Sequence, residues 1–379
     1  MARKKVLMVA SVASMIGQFS MDSIGLLQEL GYEVHVACNF EKGSTWKAEN
    51  SEELKKRLSE MGVKTYQIDF SRKPLEIEMH RQAYKQLKKV MEENKYNFAH
   101  CHSPIGGAIT RLVCKKAGVE CIYTAHGFHF YKGAPIQNWL LFYPIEKYFS
   151  KYTDTLITIN HEDCQIAKER FTAKRVEYVP GIGISTDVPE ISEDEKEQLR
   201  ASLGVGQGQK MLLSVGELNE NKNHMAVIEA LHRIDDKKIK YFICGKGILK
   251  DNLQKKISEY GLEKNIKLLG FRNDIAKLNM ASDLYVFPSF REGLSVALME
   301  AMLEKNLVVC SRIRGNVDLI QDEHYLFNPG NIDEVVKCIK YALNDSNREK
   351  VIMKNHNNIV NNFSTEVVRK KMSEIYMNY

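Results

Sequence analysis

At 379 residues, 44% hydrophobic and 27% charged, the chain is too long for one ordinary domain and long enough for two sizeable cores. This composition excludes a low-complexity disordered chain and a collagen-like repeat, and no apolar run reaches the roughly 18 residues of a membrane-spanning helix. The formal charge of +6 is uneven: residues 1–185 hold 26 Lys/Arg against 20 Asp/Glu, whereas residues 186–379 hold 28 of each. A basic half suits an anionic partner such as a phosphorylated acceptor or an acidic membrane surface, and a nucleic-acid partner is not expected. The competing explanation is a solvated helix face around Leu75 to Glu93, where Lys85, Lys88 and Lys89 would simply meet water.

Arg3, Lys4 and Lys5 followed by sixteen uncharged residues to Met21 imitate a secretory leader. Ser11, Ser14, Gly17, Gln18 and Ser20 interrupt its apolar part, and cleavage would remove the first strand. A cytoplasmic start is therefore expected. The eight cysteines, at 38, 101, 114, 121, 164, 244, 310 and 338, include no Cys-x-x-Cys, and several lie in strand-like runs. They fit buried thiols in a reducing compartment.

Strands are expected at Lys5 to Ser11, Tyr32 to Cys38, Val63 to Phe70, Phe98 to His102, Cys121 to Ala125, Thr155 to Asn160 and Arg175 to Val179, mostly with helical stretches between. Such alternation implies a parallel sheet that binds ligands at the carboxyl ends of its strands. The first strand-end loop, Ser11 to Phe19, lacks a Gly-x-Gly-x-x-Gly fingerprint, and Gly17 is its one point of close backbone approach. His100 and His102 alternate onto one strand face without further metal ligands nearby in sequence, so a packing role is expected for His100. In the run Tyr123-Thr-Ala-His-Gly-Phe-His-Phe-Tyr131, His126 would project above the sheet edge.

Pro180-Gly-Ile-Gly-Ile184 ends the first half, and the acid-rich stretch Ser185 to Glu197 reads as a solvated linker entering a helix. The second half repeats the alternation, with strands at Met211 to Val215, Tyr241 to Cys244, Ile266 to Leu269, Leu284 to Phe287 and Leu307 to Cys310. The first three end at Gly216, Gly245 and Gly270. In Asp283 to Met302 a short apolar run stops at Pro288-Ser289, a polar break follows at Arg291-Glu292-Gly293, and the apolar residues then take a helical period. Free N–H groups around Gly293, Leu294 and Ser295 would favour a phosphate. Glu292 precedes the helix and Glu300 lies inside it, a separation suited to hydroxyls at the two ends of a nucleotide-sugar. The bland alternative is two charges on a solvated helix.

This stretch resembles the Glu-x7-Glu motif of the family-4 retaining glycosyltransferases, and Thr124-Ala-His-Gly-Phe128 is similar to the Thr-x-His-Gly-Phe stretch of their capsule and exopolysaccharide members. The resemblance spans essentially the whole chain. It implies an α/β protein of GT-B fold, with two Rossmann-like parallel-sheet domains facing each other across a cleft. They would be residues 1–184 and 185–362, with the helix in 363–379 crossing back. It further implies transfer of a hexose or N-acetylhexosamine from a nucleotide-sugar, with uridine the expected base, to a lipid-diphosphate-linked or oligosaccharide acceptor at the inner face of the cell membrane.

By the same resemblance His126 and Glu292 face the transferred sugar, Glu300 the ribose, and Lys222, Gly293, Leu294 and Ser295 the diphosphate, with Gly17, Gly216 and Gly245 giving the backbone close access. The family pattern Gly-Arg-Leu-x-x-x-Lys is met at Lys222 but not at its arginine, where Glu217 stands; Arg291, Arg312 and Arg314 are the candidate compensating cations, and Arg291, adjacent to Glu292, is the one expected. No Asp-x-Asp triplet occurs, so neither a metal nor another cofactor is expected. The alternatives are a non-hydrolysing nucleotide-sugar epimerase, which needs no acceptor, and a catalytically silent nucleotide-sugar-binding protein.

Overall fold

The computed structural model describes residues 4–42 and 46–379, so Arg3 of the leader-like segment lies outside the described residues. Residues 1–183 and 366–379 form one compact unit, and residues 184–365 form another.

The first unit holds strands β1 (Lys5–Val12), β2 (Glu33–Asn39), β3 (Lys64–Gln67), β4 (Phe98–His102), β5 (Glu120–Ala125), β6 (Thr155–Thr158) and β7 (Arg175–Tyr178). They form one parallel sheet in the order β3-β2-β1-β4-β5-β6-β7. Successive side chains of β1 serve opposite faces: Val6, Met8 and Ala10 join one apolar cluster, and Leu7 and Val9 another. That is why its sequence is apolar without alternation. The helix Thr365–Tyr376 belongs to this unit because Val368, Met372, Ile375 and Tyr376 are buried in the first of those clusters.

The second unit holds β8 (Lys210–Val215), β9 (Ile239–Cys244), β10 (Ile266–Gly270), β11 (Leu284–Phe287), β12 (Val308–Ser311) and β13 (Leu326–Phe327), all parallel, in the order β10-β9-β8-β11-β12-β13. Each sheet has its own reversal of strand order, between β1 and β4 and between β8 and β11. The crevice beyond the carboxyl ends of such a strand pair is where doubly wound sheets hold ligands.

Three local expectations are corrected. The stretch Ser11 to Phe19 is not a loop, since Ala13–Phe19 is helical and the Trp46 indole packs onto Gly17. The acid-rich linker is shorter than expected, because Ser192 caps the helix Glu193–Leu203 in a reciprocal pair with Glu195 and the acids complement the helix dipole. The edge strand β13 was not anticipated, since two residues carry no readable period.

Candidate functional site

At the β8/β11 reversal two loops are laced together by asparagines. Asn221 Nδ2 donates to the Arg291 carbonyl at 2.9 Å, and the Phe290 N–H donates to the Asn221 carbonyl at 2.8 Å. Asn223, in the left-handed region at φ 52°, donates from Nδ2 to the carbonyls of Pro288 and Pro329. Between these ties the Lys222 stem lies over Gly216, where any side chain would press on its methylenes, so the glycine makes room for the lysine. Lys222 Nζ then reaches Glu292 Oε1 at 2.7 Å and stands 5.1 Å from the centre of the Phe287 ring.

Neighbouring loops close tightly around this pair. A Cβ at Gly245 would strike the Gly216 carbonyl, and one at Gly315 would strike that of Gly293, so both glycines are required by backbone-to-backbone packing. Arg314, 5% exposed, donates from Nε to the Glu292 carbonyl at 3.3 Å. The following helix, Val296–Leu303, is capped by Ser295, whose hydroxyl accepts from the Leu298 N–H. Glu300 is part-buried on this helix, and desolvation raises its carboxyl above the usual range. One turn on, burial pushes Glu304 up to about 7, although it accepts a hydrogen bond from Asn279. A cation and a carboxylate fixed beside a helix N-terminus, followed by a second desolvated carboxylate, can hold an anion and polyhydroxyl groups together.

The first unit has a cavity of about 610 Å³ at its own β1/β4 reversal, lined by Ser11, Phe19, Arg72, Ser103, His126 and Glu146 among others. His126 follows β5, and Gly127, at φ 120°, turns the chain so that the Phe128 N–H meets the buried Asp163 carboxylate at 2.9 Å. His126 Nε2 is 3.1 Å from His102 Nδ1, and His102 Nε2 is 3.2 Å from Met8 Sδ. A thioether only accepts, so His102 carries its proton on Nε2 and its Nδ1 accepts from His126. His126 Nδ1 is thereby left as an acceptor. Burial lowers the His126 imidazole to about 4, keeping it neutral near pH 7. His100 is buried and bonds the hydroxyls of Tyr376 and Thr124, both at 2.8 Å.

Lys222, Glu292, Gly216, Gly245, Gly293, Leu294, Ser295 and Glu300 thus gather in the second unit, and His126 lines the cavity of the first. Gly17 does not join them, because Trp46 fills the space beside it. Arg291 and Glu217 are exposed, and Arg312 pairs with Glu323, so the buried cation beside Glu292 is Arg314. Sequence reasoning missed two residues of the first cavity's wall, Glu146 and Tyr123, and the buried Arg111 that pairs with one of them. Arg111 is 1% exposed and pairs with Glu146 at 3.0 Å, and Glu146 also accepts from the Tyr123 hydroxyl at 3.0 Å. Nothing at Arg111 itself announces a partner 35 residues away.

Comparison with known proteins matches residues 5–160 to the family described as glycosyl transferase 4-like and residues 195–359 to glycosyl transferases group 1. A putative glycosyltransferase, EpsD, of Bacillus subtilis (strain 168) is 35% identical over 84% of this chain and 81% of its own. The UDP-Gal:alpha-D-GlcNAc-diphosphoundecaprenol alpha-1,3-galactosyltransferase of Escherichia coli is 30% identical over 77% of this chain and 78% of its own. Among solved structures, Anabaena HepE in complex with UDP superposes with a TM-score of 0.78 at 18% identity, over 99% of this chain and 100% of that one.

Proposed function

Because the chain belongs to the group 1, family-4-like glycosyltransferases of GT-B fold, we propose that it moves a hexose or N-acetylhexosamine from a UDP-sugar to a lipid-diphosphate-linked saccharide during surface polysaccharide synthesis. The observation that carries this reading is the Lys222–Glu292 pair at the β8/β11 reversal, with Glu300 on the helix that follows. The lipid-linked acceptor is supported by the diphosphoundecaprenol-linked substrate named for the Escherichia coli relative.

In this mechanism Lys222 and the backbone N–H groups of residues 293–295 hold the diphosphate and offset the charge that develops on it as the glycosidic bond breaks. Glu292 accepts hydrogen bonds from hexose hydroxyls, and Glu300 accepts them from the ribose. In the cavity of the first unit, His126 offers Nδ1 as an acceptor to a saccharide hydroxyl. The acceptor hydroxyl attacks from the face the diphosphate leaves, the departing phosphate oxygen takes its proton, and the anomeric configuration is retained. Positive charge at the diphosphate comes from side chains and helix N–H groups, with no divalent metal required.

The test is incubation of the purified chain with UDP-hexoses and UDP-N-acetylhexosamines and a short-chain lipid-diphosphate disaccharide, in excess chelator, with products read by mass spectrometry. One added sugar on the acceptor is the expected product. Epimerised UDP-sugar without an acceptor product, or activity that only added magnesium or manganese restores, would overturn the corresponding part of the proposal. Thermal-shift comparison of UDP, GDP and ADP identifies the base, since a bound ligand stabilises the fold by mass action.

A further inference from the structure

A buried ion pair repays its desolvation only when its geometry is good and its remaining hydrogen-bonding capacity is met. In the first unit, Arg111 of the helix Pro104–Ala117 and Glu146 of the helix Ile136–Ser150 form such a pair. Arg111 is fixed from three directions: Nε donates to the Gly107 carbonyl at 3.1 Å, Nη2 donates to Glu146 Oε2 at 3.0 Å, and the guanidinium lies 4.0 Å from the centre of the Tyr123 ring. The Tyr123 hydroxyl in turn donates to Glu146 Oε1 at 3.0 Å. Its ring fits there only because residue 107 is glycine, since a Cβ at that position would come within 2.7 Å of it. The carboxylate is thus held in one orientation before any ligand arrives.

These partners do not exhaust Glu146. An ionised carboxylate accepts about four hydrogen bonds, and the two formed here take one position on each oxygen. Glu146 and Tyr123 both line the cavity of about 610 Å³. Within that lining Glu146 is the one carboxylate and Arg72 the one lysine or arginine, while Phe19, Phe128 and Phe142 contribute ring surface. His126 Nδ1, in the same wall, is a second acceptor. Two fixed acceptors among aromatic rings suit a ligand with an apolar body and O–H or N–H donors. A phosphate or carboxylate group, which only accepts, would meet Glu146 with like charge and no bond.

We propose that Glu146 is a specificity-determining residue for the acceptor: it takes a hydrogen bond from a hydroxyl or acetamido N–H of a neutral terminal sugar, and its charge turns away a terminal hexuronic acid. Arg111 and Tyr123 are positioning residues, acting through the carboxylate they hold. The diphosphate end of the acceptor is kept away from Glu146. This inference rests on the reading that the chain glycosylates a lipid-diphosphate-linked saccharide, and it adds the class of sugar in which that saccharide ends.

The experiment is calorimetric binding of the full chain, without donor, to short-chain lipid-diphosphate disaccharides ending in a hexose, an N-acetylhexosamine or a hexuronic acid, followed by transfer from UDP-sugars to the same acceptors. Wild type is expected to bind one of the neutral acceptors about tenfold or more tighter than the uronate. Glu146→Gln alone would strand the Arg111 charge, so the variant compared is Arg111→Met/Glu146→Gln, which leaves no uncompensated charge. It should lose about tenfold to a hundredfold in affinity and in kcat/KM with the neutral acceptor, mostly through KM, and should gain affinity for the uronate. Glu146→Asp keeps the charge but draws the carboxylate back by one methylene, so it should bind the neutral acceptor more weakly and still exclude the uronate. Unchanged UDP thermal shifts in both variants would show that the nucleotide site persists. A tie that serves only the fold would lower all three acceptors alike, and that result overturns the proposal. Equal binding of neutral and uronate acceptors by wild type, or binding of none of them, would overturn it as well. Acceptor discrimination that depends on Glu146, with no sugar transferred to any acceptor, would sink the functional reading and leave this one standing. Transfer that ignores Glu146 would do the reverse.

Discussion

Lys222 Nζ and Glu292 Oε1 are 2.7 Å apart, so two groups separated by 70 residues in the chain form one unit before any ligand arrives. An ion pair at this depth, with side chains 22% and 15% exposed, holds both groups in place but leaves either one uncompensated when the other is removed. On the proposed reading, phosphate and sugar recognition at this site are therefore expected to be coupled.

A double-mutant cycle measures that coupling. Lys222→Ala is expected to cost on the order of 2–4 kcal/mol in kcat/KM, as removal of a donor to developing charge does. Glu292→Gln should chiefly lower kcat. The double variant should lose less than the sum of the two, by about 0.5–3 kcal/mol. Additive losses would mean that the two side chains act separately in the turnover complex.

Arg314, not Arg291, is expected to be the second cation. Arg314→Lys keeps the charge but gives up the planar fork that reaches the Glu292 carbonyl, and kcat/KM should fall on the order of tenfold or more. Arg291→Ala and Glu217→Ala, both exposed, should stay within about threefold of wild type, the usual range of surface changes. A Glu217→Ala enzyme as impaired as Lys222→Ala would place the glutamate in the site and require the phosphate contacts to be redrawn.

Glu300 gives a pH signature. Burial raises its carboxyl above 4.5, so it takes up a proton at a higher pH than an exposed glutamate would. The ionised form is the stronger acceptor for ribose hydroxyls, and UDP affinity should decline as pH falls through the raised value. Titration calorimetry with UDP across that range should show the decline in wild type. In Glu300→Gln, affinity should be weaker throughout and the limb absent. A limb that survives the substitution would belong to another group.

The parallel sheets and the loops at Lys222 and Glu292 were legible in the sequence because they depend on local patterns: apolar runs of strand length, a glycine at the strand end, a polar break before a helical period. What escaped was set by partners distant in sequence. Lys222 and Glu292 lie in separate motifs, which the pairing of β8 with β11 and the asparagine ties at Asn221 and Asn223 bring together. Arg314 and Arg312 are equivalent as text, but one turns inward to the Glu292 carbonyl and the other outward to Glu323. Gly17 looked like a point of ligand approach because a glycine that admits a ligand and one that admits an indole read alike.

Two buried histidines, His100 and His102, and the part-buried His126 of the cavity wall make the first unit's stability sensitive to acid. Burial lowers His100 to about 3, His126 to about 4, and His102 well below the ordinary 6.5. Between about pH 4 and 6.5 the unfolded chain therefore binds protons that the folded unit refuses, so stability rises with pH across this window and is lost as pH falls through it. For His126 alone the loss at pH 4.5 relative to pH 7 is on the order of 2–3 kcal/mol. Both tryptophans, Trp46 and Trp139, lie in this unit, so their fluorescence during urea unfolding reports on it rather than on the second unit. His126→Gln keeps a polar side chain beside His102 but cannot titrate. Its urea midpoint should drop less than that of wild type between pH 7 and pH 4.5, by an amount corresponding to about 2–3 kcal/mol. Paired carboxylates weaken in the same window and do so equally in both proteins, so the difference between the two slopes isolates the imidazole. Parallel slopes would mean that His126 is hydrated enough to protonate in place, and its assignment as a neutral acceptor in the cavity would fail with them.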